Sequence, residues 1–359
     1  MLFLNMDLFL LLNDLKMIFE FEDIDTNCQN FLFLDNTAIK TKKKMKRKTQ
    51  TKGIKRREFI QRGVAYAAGT MLIGSSTSKL LGAVGSHHSV PLIETITLNN
   101  GLKMPVLGFG TLYLNDDLGV RCVADAISLG YRLIDTATVY GNEASVGGGI
   151  KKSGINREEL FVTSKVWVDD SGYEKAKKAF QTSLDKLGLD YLDLYLIHRP
   201  RGDVKGSWQA MEDLYKEGKI RAIGVSNFEA SHLDELMSYA KIKPAVNQIE
   251  THAFFQQEKA NENLKKFGIQ HEAWSPLAQG RNGHFTNETL AAIGRKYNKN
   301  NAQVSLRWHY QRGIVAIPRS SQKAHMLENL NIFDFELDES DMNTIASLDL
   351  NITQFPEWE

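Results

Sequence analysis

The chain has 359 residues, 44 basic and 43 acidic for a formal net charge of +1, and 42% of it is hydrophobic. Those figures suit a globular protein of one large domain or two small ones. Two cysteines are too few for a disulfide framework, and the charge balance argues against a generally basic, nucleic-acid-binding surface.

Residues 1–34 are rich in Leu and Phe without a clear period. Asp7, Asp14, Glu20, Glu22, Asp23 and Asp25 interrupt every apolar run before it reaches the ~20 residues that span a bilayer. Residues 40–62 hold twelve basic residues against one acid, Glu58, which by itself reads as a solvated tail or a nucleic-acid arm. Within that run Lys55-Arg56-Arg57-Glu58-Phe59-Ile60-Gln61 resembles a twin-arginine export motif. A mildly apolar stretch follows over 64–74, and then Ala83-Val84-Gly85 ahead of Ser86. Basic region, apolar region and small-residue cleavage site come in the order of an export signal.

The expectation is therefore a non-native or disordered extension over 1–44, a twin-arginine-type signal peptide over 45–85 starting at Met45 and cut after Gly85, and a single domain over 86–359. The twin-arginine export machinery would be a partner and the periplasm the destination, with the cytoplasm as the alternative. Residues 1–85 hold 14 basic and 8 acidic residues, which leaves 30 and 35 in the remainder, a net charge of −5, and Cys122 as its one cysteine. That rules out an internal disulfide in the mature chain and speaks against a nucleic-acid partner. No Cys/His cluster has zinc spacing, and His87-His88 reads as tail, so no metal is expected.

From Thr95 to Met104 the sequence alternates, turns at Asn-Gly and alternates again, which predicts a hairpin. A strand over 106–111 follows, then a helix over 118–129, a strand to Asp135, a helix over 142–152, a strand to Lys165, a helix over 173–187 and a strand to His198. Next come a helix over 207–217, a strand over 220–226, a helix over 231–239, a strand over 245–250, a helix over 258–267 and a strand over 269–274. Two helices across 288–311, a strand over 315–318 and a helix at about 339–348 complete the chain. Eight strands alternating with helices predict an α/β (β/α)8 TIM barrel. A doubly wound sheet would want Gly-x-Gly-x-x-Gly after its first strand. Here Tyr113 stands where the third glycine belongs, and Gly147-Gly148-Gly149 lies inside a helix pattern.

In a barrel the ends of successive parallel strands share one rim. Asp135 ends one strand and Tyr140 lies on the loop after it; Lys165 and His198 end the next two strands, 30 and 33 residues further on. Singly, each has an ordinary structural role as a capping acid, a core tyrosine, a scaffold lysine or a satisfied histidine. On successive rim positions they form one constellation. Gly110 and Thr111, at the end of the first strand, would relieve crowding there or let a cofactor approach the backbone.

These residues lie in segments that resemble the aldo-keto reductases. The matching pieces are Gly108-Phe109-Gly110-Thr111, Asp135-Thr136-Ala137 with Tyr140-Gly141-Asn142-Glu143, Thr163-Ser164-Lys165-Val166-Trp167, Ile197-His198-Arg199-Pro200, Gly224-Val225-Ser226-Asn227-Phe228, Asn247-Gln248-Ile249-Glu250 and Ile317-Pro318-Arg319-Ser320. They keep the family's order from Val90 to the C-terminus, and are most similar to the compact bacterial branch that includes diketogluconate reductases. The resemblance implies a hairpin that plugs the barrel bottom, two extra helices, and NADPH as cofactor with NADH left open. By position it implies that Ser226, Asn227 and Gln248 hold the nicotinamide carboxamide and that Trp274 stacks on the ring. Ser275 and Leu277 would follow the pyrophosphate, and Arg319, Ser320, His325, Glu328 and Asn329 the adenosine end. Arg319 stands for the family's usual lysine and can still clasp a 2′-phosphate, whereas His325 stands for an arginine and leaves the preference for NADPH open.

Carbonyl reduction takes hydride from the nicotinamide and a proton from the protein. Tyr140 is the expected acid. A free phenol has a pKa of about 10, so Lys165 is expected to supply the cation it needs, Asp135 to hold that ammonium, and His198 to orient the substrate oxygen. The expected function is NAD(P)H-dependent reduction of aldehydes or ketones to alcohols, on a small carbonyl substrate, by a monomer. A cofactor-bound scaffold or sensor of the same fold is the competing reading, against which the four retained side chains speak. Tyr113 and Trp167 are the expected substrate-pocket walls. Arg199 is expected to face the helices, and the short tail Gln354-Phe355-Pro356-Glu357-Trp358-Glu359 to cover little of the mouth.

Overall fold

The computed structural model describes residues 94–358. The expected extension, the twin-arginine segment, the cleavage site at Gly85 and His87-His88 lie outside the described residues.

Eight parallel strands follow one another around a barrel: β3 (Gly108–Gly110), β4 (Leu133–Asp135), β5 (Phe161–Val166), β6 (Leu194–Ile197), β7 (Ile223–Ser226), β8 (Val246–Glu250), β9 (Gln270–Trp274) and β10 (Val315–Ala316). A parallel bridge between Leu107 and Ala316 closes it, with the Ala316 N–H donating to Val106 O at 3.2 Å and the Gly110 N–H to Pro318 O at 3.0 Å. Gly110 is required at this seam, because a Cβ there would lie 2.8 Å from Ile317 O. The two seam strands are shorter than their apolar runs, since their ends meet through single bonds rather than a full ladder.

The hairpin ahead of the barrel pairs β1 (Thr95–Thr97) with β2 (Lys103–Pro105), Ile96 opposite Met104. Its turn uses Gly101 at φ +88, a conformation that costs glycine nothing. Asn99 and Asn100 donate their side-chain amides to Pro244 O and Arg221 O, both at 2.9 Å, which ties the turn to the residues leading into β8 and β7. Leu98 and Met104 bury against Leu133, Phe161, Leu194 and Val246, so the hairpin is the expected plug.

Helices Asp116–Leu129, Glu143–Ser153, Tyr173–Leu187, Val204–Lys216, Ala230–Tyr239, Glu258–Phe267, Glu288–Tyr297, Asn301–Gln311, Lys323–Leu330 and Glu339–Ala346 surround the strands. β5 and β6 are covered on both sides and buried throughout, β6 as an apolar run and β5 with Thr163, Ser164 and Lys165 buried as well. Sequence patterning does not predict Lys323–Leu330. That helix has eight residues, no side chain caps its start, and it buries only Met326, Asn329 and Leu330. Tyr131 Oη holds it to the barrel by donating to Met326 O at 3.0 Å.

Candidate active site

The strand register brings the C-terminal ends of β4, β5 and β6 together, and with them Asp135, Lys165 and His198. Tyr140 closes the short turn Thr138–Tyr140 after β4. Buried hydrogen bonds hold that turn: Thr136 Oγ1 donates to Asn142 Oδ1 at 2.8 Å, Asn142 Nδ2 to Thr111 O at 2.7 Å and Leu114 O at 3.1 Å, and Ser164 Oγ to Glu143 Oε1 at 2.7 Å. Sequence reading takes Asn142 and Glu143 only as a helix start. Their position beside the tyrosine within one motif was the available signal for this supporting role.

Lys165 Nζ is the centre of the cluster. It donates to Asp135 Oδ1 at 2.7 Å, to Thr136 O at 3.0 Å and to Tyr140 Oη at 3.4 Å. Asp135 Oδ2 accepts from Gln248 Nε2 at 2.9 Å, and the same nitrogen donates to Glu272 Oε2 at 2.9 Å. Burial pushes the Lys165 ammonium down, but the charge and hydrogen bond of Asp135, with Tyr140, outweigh it and leave Lys165 raised and charged. Burial pushes the Tyr140 phenol up, and the Lys165 charge opposes this without reversing it. Lys165 does pull the phenol down, by its charge and its hydrogen bond, as expected of the cation, but burial, joined by the Asp135 charge, outweighs it. Tyr140 is therefore a phenol that keeps its proton at neutral pH. For His198, burial and then the charges of Lys165 and Arg199 hold the imidazole well below 6.5, so it is neutral. Its ring meets Trp167 edge-on at 5.0 Å and Tyr140 edge-on at 5.8 Å.

These side chains open into a cavity of about 730 Å³. Of the residues expected at the site, Gly110, Thr111, Tyr113, Asp135, Tyr140, Trp167, His198, Ser226, Asn227, Gln248, Trp274, Ser275, Leu277, Arg319, Ser320 and His325 line it. Lys165 lies beneath, fully buried. Glu328 and Asn329 lie outside the lining, one turn past His325, and Glu328 Oε2 accepts from Asn300 Nδ2 at 3.1 Å. Ser226 Oγ donates to Gln248 O at 2.8 Å, while Asn227, in a left-handed turn at φ +62, donates to His198 O at 3.0 Å and accepts from Trp274 Nε1 at 2.8 Å. The indole is thereby fixed by its N–H at the cavity wall. Tyr140, His198, Trp274, Arg319 and His325 all line this one cavity. A flat aromatic side chain and a guanidinium in one cavity fit a dinucleotide bearing a phosphate.

Two placements differ from expectation. Arg199 lines the cavity instead of facing the helices, and its charge reaches both Tyr140 and His198. The tail also reaches further than its length suggests: Trp358 stacks on Phe355 at 4.8 Å, lies 5.5 Å from Trp274 and joins the cavity wall. Arg281 secures it by pairing with Glu357 and donating to Gln354 O. Among the described residues, no group of three or more His, Cys, Asp or Glu is placed to hold a metal ion.

The chain is 52% identical over 259 residues to the glyoxal reductase of Bacillus subtilis, covering 72% of this chain and 93% of that one. It is 41% identical over 257 residues to a methylglyoxal reductase of Escherichia coli K12, covering 71% and 93%. The crystal structure of a Bombyx mori aldo-keto reductase in complex with NADP superposes with a TM-score of 0.69 at 35% identity, covering 75% of this chain and 97% of that one. The model of the aldo/keto reductase family matches residues 106–350, and the chain belongs to that family.

Proposed function

We propose that this aldo-keto reductase uses NADPH to reduce small aldehydes and ketones to alcohols, with Tyr140 as the general acid. The observation that carries the reading is Lys165 Nζ, held 2.7 Å from Asp135 and 3.4 Å from the Tyr140 phenol, with Lys165 and Asp135 both buried. When bound, the cofactor supplies the hydride. Tyr140 and neutral His198 hold the carbonyl oxygen from two sides; the phenol gives its proton to that oxygen as negative charge develops, and Lys165 stabilises the phenolate left behind. Asp135 keeps the ammonium charged and aimed. Gln248, Ser226, Asn227 and Trp274 hold the nicotinamide end, while Arg319 and His325 hold the phosphate-bearing adenosine end. Tyr113 and Trp167 form substrate walls.

Similarity to glyoxal and methylglyoxal reductases supports 1,2-dicarbonyls as the first substrates to test, with sugar-derived carbonyls next. Cofactor oxidation across a panel of such carbonyls is the assay. Turnover on dicarbonyls is expected. Cofactor binding with no oxidation anywhere in the panel would instead support the scaffold or sensor reading.

Residues 45–85 are proposed as a twin-arginine export signal, on the strength of Arg56-Arg57 and the apolar and small-residue segments that follow. Fractionation should find the enzyme cleaved near Gly85 outside the cytoplasmic membrane, and Arg56→Lys with Arg57→Lys should trap it inside uncleaved. Uncleaved wild-type protein in the cytoplasm would reject export and leave the reductase reading untouched.

A further inference from the structure

Glu272 has no part in the chemistry above, yet it sits at the base of the cluster. It lies on β9, in register with Gln248 on β8 and Val315 on β10, and is 0% exposed. A carboxyl removed from water needs partners. Its Oε2 has Gln248 Nε2, while Oε1 meets no hydrogen-bond partner among the described residues. Because Gln248 Nε2 also donates to Asp135, both amide hydrogens go to carboxyl groups, which leaves the amide oxygen for the cavity that Gln248 lines.

Two acids and one ammonium share this dry space. With both acids ionised it carries an unbalanced negative charge; with Glu272 protonated it is neutral. Burial first, then the Asp135 charge, push Glu272 up to about 8, against the Gln248 hydrogen bond and Lys165. His198, beside Arg199, is held well below 6.5, and Tyr140 and Lys165 are raised above 10.0 and 10.5. The neighbouring His271 turns outward to Thr251 and Asn261 and is also held well below 6.5.

We propose that Glu272 is a positioning residue that at neutral pH keeps its proton while the cavity holds NADPH and releases it to solvent when the cavity holds NADP⁺ with its cationic ring, so that binding of the oxidised cofactor alone is linked to proton loss. In that step the Glu272 O–H bond breaks, the electron pair stays on the carboxylate, the proton goes to water, and nothing is oxidised or reduced. The cause is electrostatic: the oxidised ring carries a positive charge that the reduced ring lacks, and one side chain, Gln248, separates Glu272 from the cavity. A nearby cation favours the ionised acid. Linkage then requires ionised Glu272 to favour the cation by the same factor. The site carries no surplus charge before hydride transfer and gains a compensating one after it.

The inference rests on the nicotinamide-cofactor reading of the cavity. Its test is the dissociation constant of each cofactor for the full chain, read by tryptophan fluorescence across pH. The NADP⁺ constant should fall about fivefold or more between about pH 7 and pH 9, while the NADPH constant holds within about twofold. The 2′-phosphate is common to both and cancels. Glu272→Gln should flatten the NADP⁺ curve. Calorimetry on the wild-type protein in two buffers of different ionisation enthalpy should show proton release with NADP⁺ and none with NADPH, which needs no variant. Parallel pH curves for the two cofactors, an unchanged NADP⁺ curve in Glu272→Gln, or no proton release would each overturn the inference with the cofactor reading intact. Failure of both cofactors to bind would overturn that reading, and this inference with it.

Discussion

The two ends of the barrel interior are built on the same inward-pointing strand positions and do opposite things. At the lower end Leu98, Met104, Leu133, Phe161, Leu194 and Val246 make an apolar cluster. Two or four residues further along β4, β5 and β8, and on β9, the inward positions hold Asp135, Lys165, Gln248 and Glu272, which are buried just as deeply. Burial does not distinguish the two ends; pairing does. The lower end is stabilised by area and close packing, and tolerates apolar substitutions that preserve volume best. The upper end depends on every buried charge keeping its partner, so one altered atom there disturbs both stability and chemistry.

The largest effect expected from this contrast comes at the upper end. Lys165→Met leaves Asp135 without its ammonium, which should cost about 3–5 kcal/mol of folding stability in a urea melt. It should also lower turnover by about 10² or more in steady-state assays, because the phenolate loses its cation. A variant as stable and as active as the wild type would erase the distinction between the two ends. Met104→Ala, in the plug, should cost about 2–5 kcal/mol in the same melt through the cavity it leaves. Its turnover, measured well below the melting transition, should stay at the wild-type level. A large loss of turnover without loss of stability would show that the plug shapes the site directly. Arg319→Ala, on the solvated rim, should leave folding unchanged and weaken NADPH about tenfold while affecting NADH little, since only NADPH carries the 2′-phosphate. Equal losses would remove Arg319 from phosphate recognition and confine the charge-dependent chemistry to the buried cluster.

The architecture was legible because its signals are local and repeated. Tyr173–Leu187 and Glu258–Phe267 end at a glycine and fall where their apolar spacing predicts. Lys323–Leu330 was not legible, as its buried face is too short to set a period and the exposed Leu327 blurs it. Asp135, Lys165 and His198 could be read as site residues because each stands at or just beyond the end of an apolar strand. Glu272 could not. In Gln270-His271-Glu272-Ala273-Trp274 polar residues occupy both faces of one strand, so alternation carries no information, and an acid there reads as solvent-facing until the barrel closes around it. Arg199 and Trp358 were misread for a related reason. Their approach to the cavity depends on how the β6 loop and the tail fold back, and neighbours in sequence do not encode that.

Under the proposed function the upper cluster serves to make Tyr140 a proton donor. Its most direct test is Tyr140→Phe, which removes one oxygen and leaves Lys165 paired with Asp135. NADPH affinity should be unchanged while single-turnover reduction of a dicarbonyl falls by a factor of order 10² or more. Wild-type reduction in that variant would contradict the account.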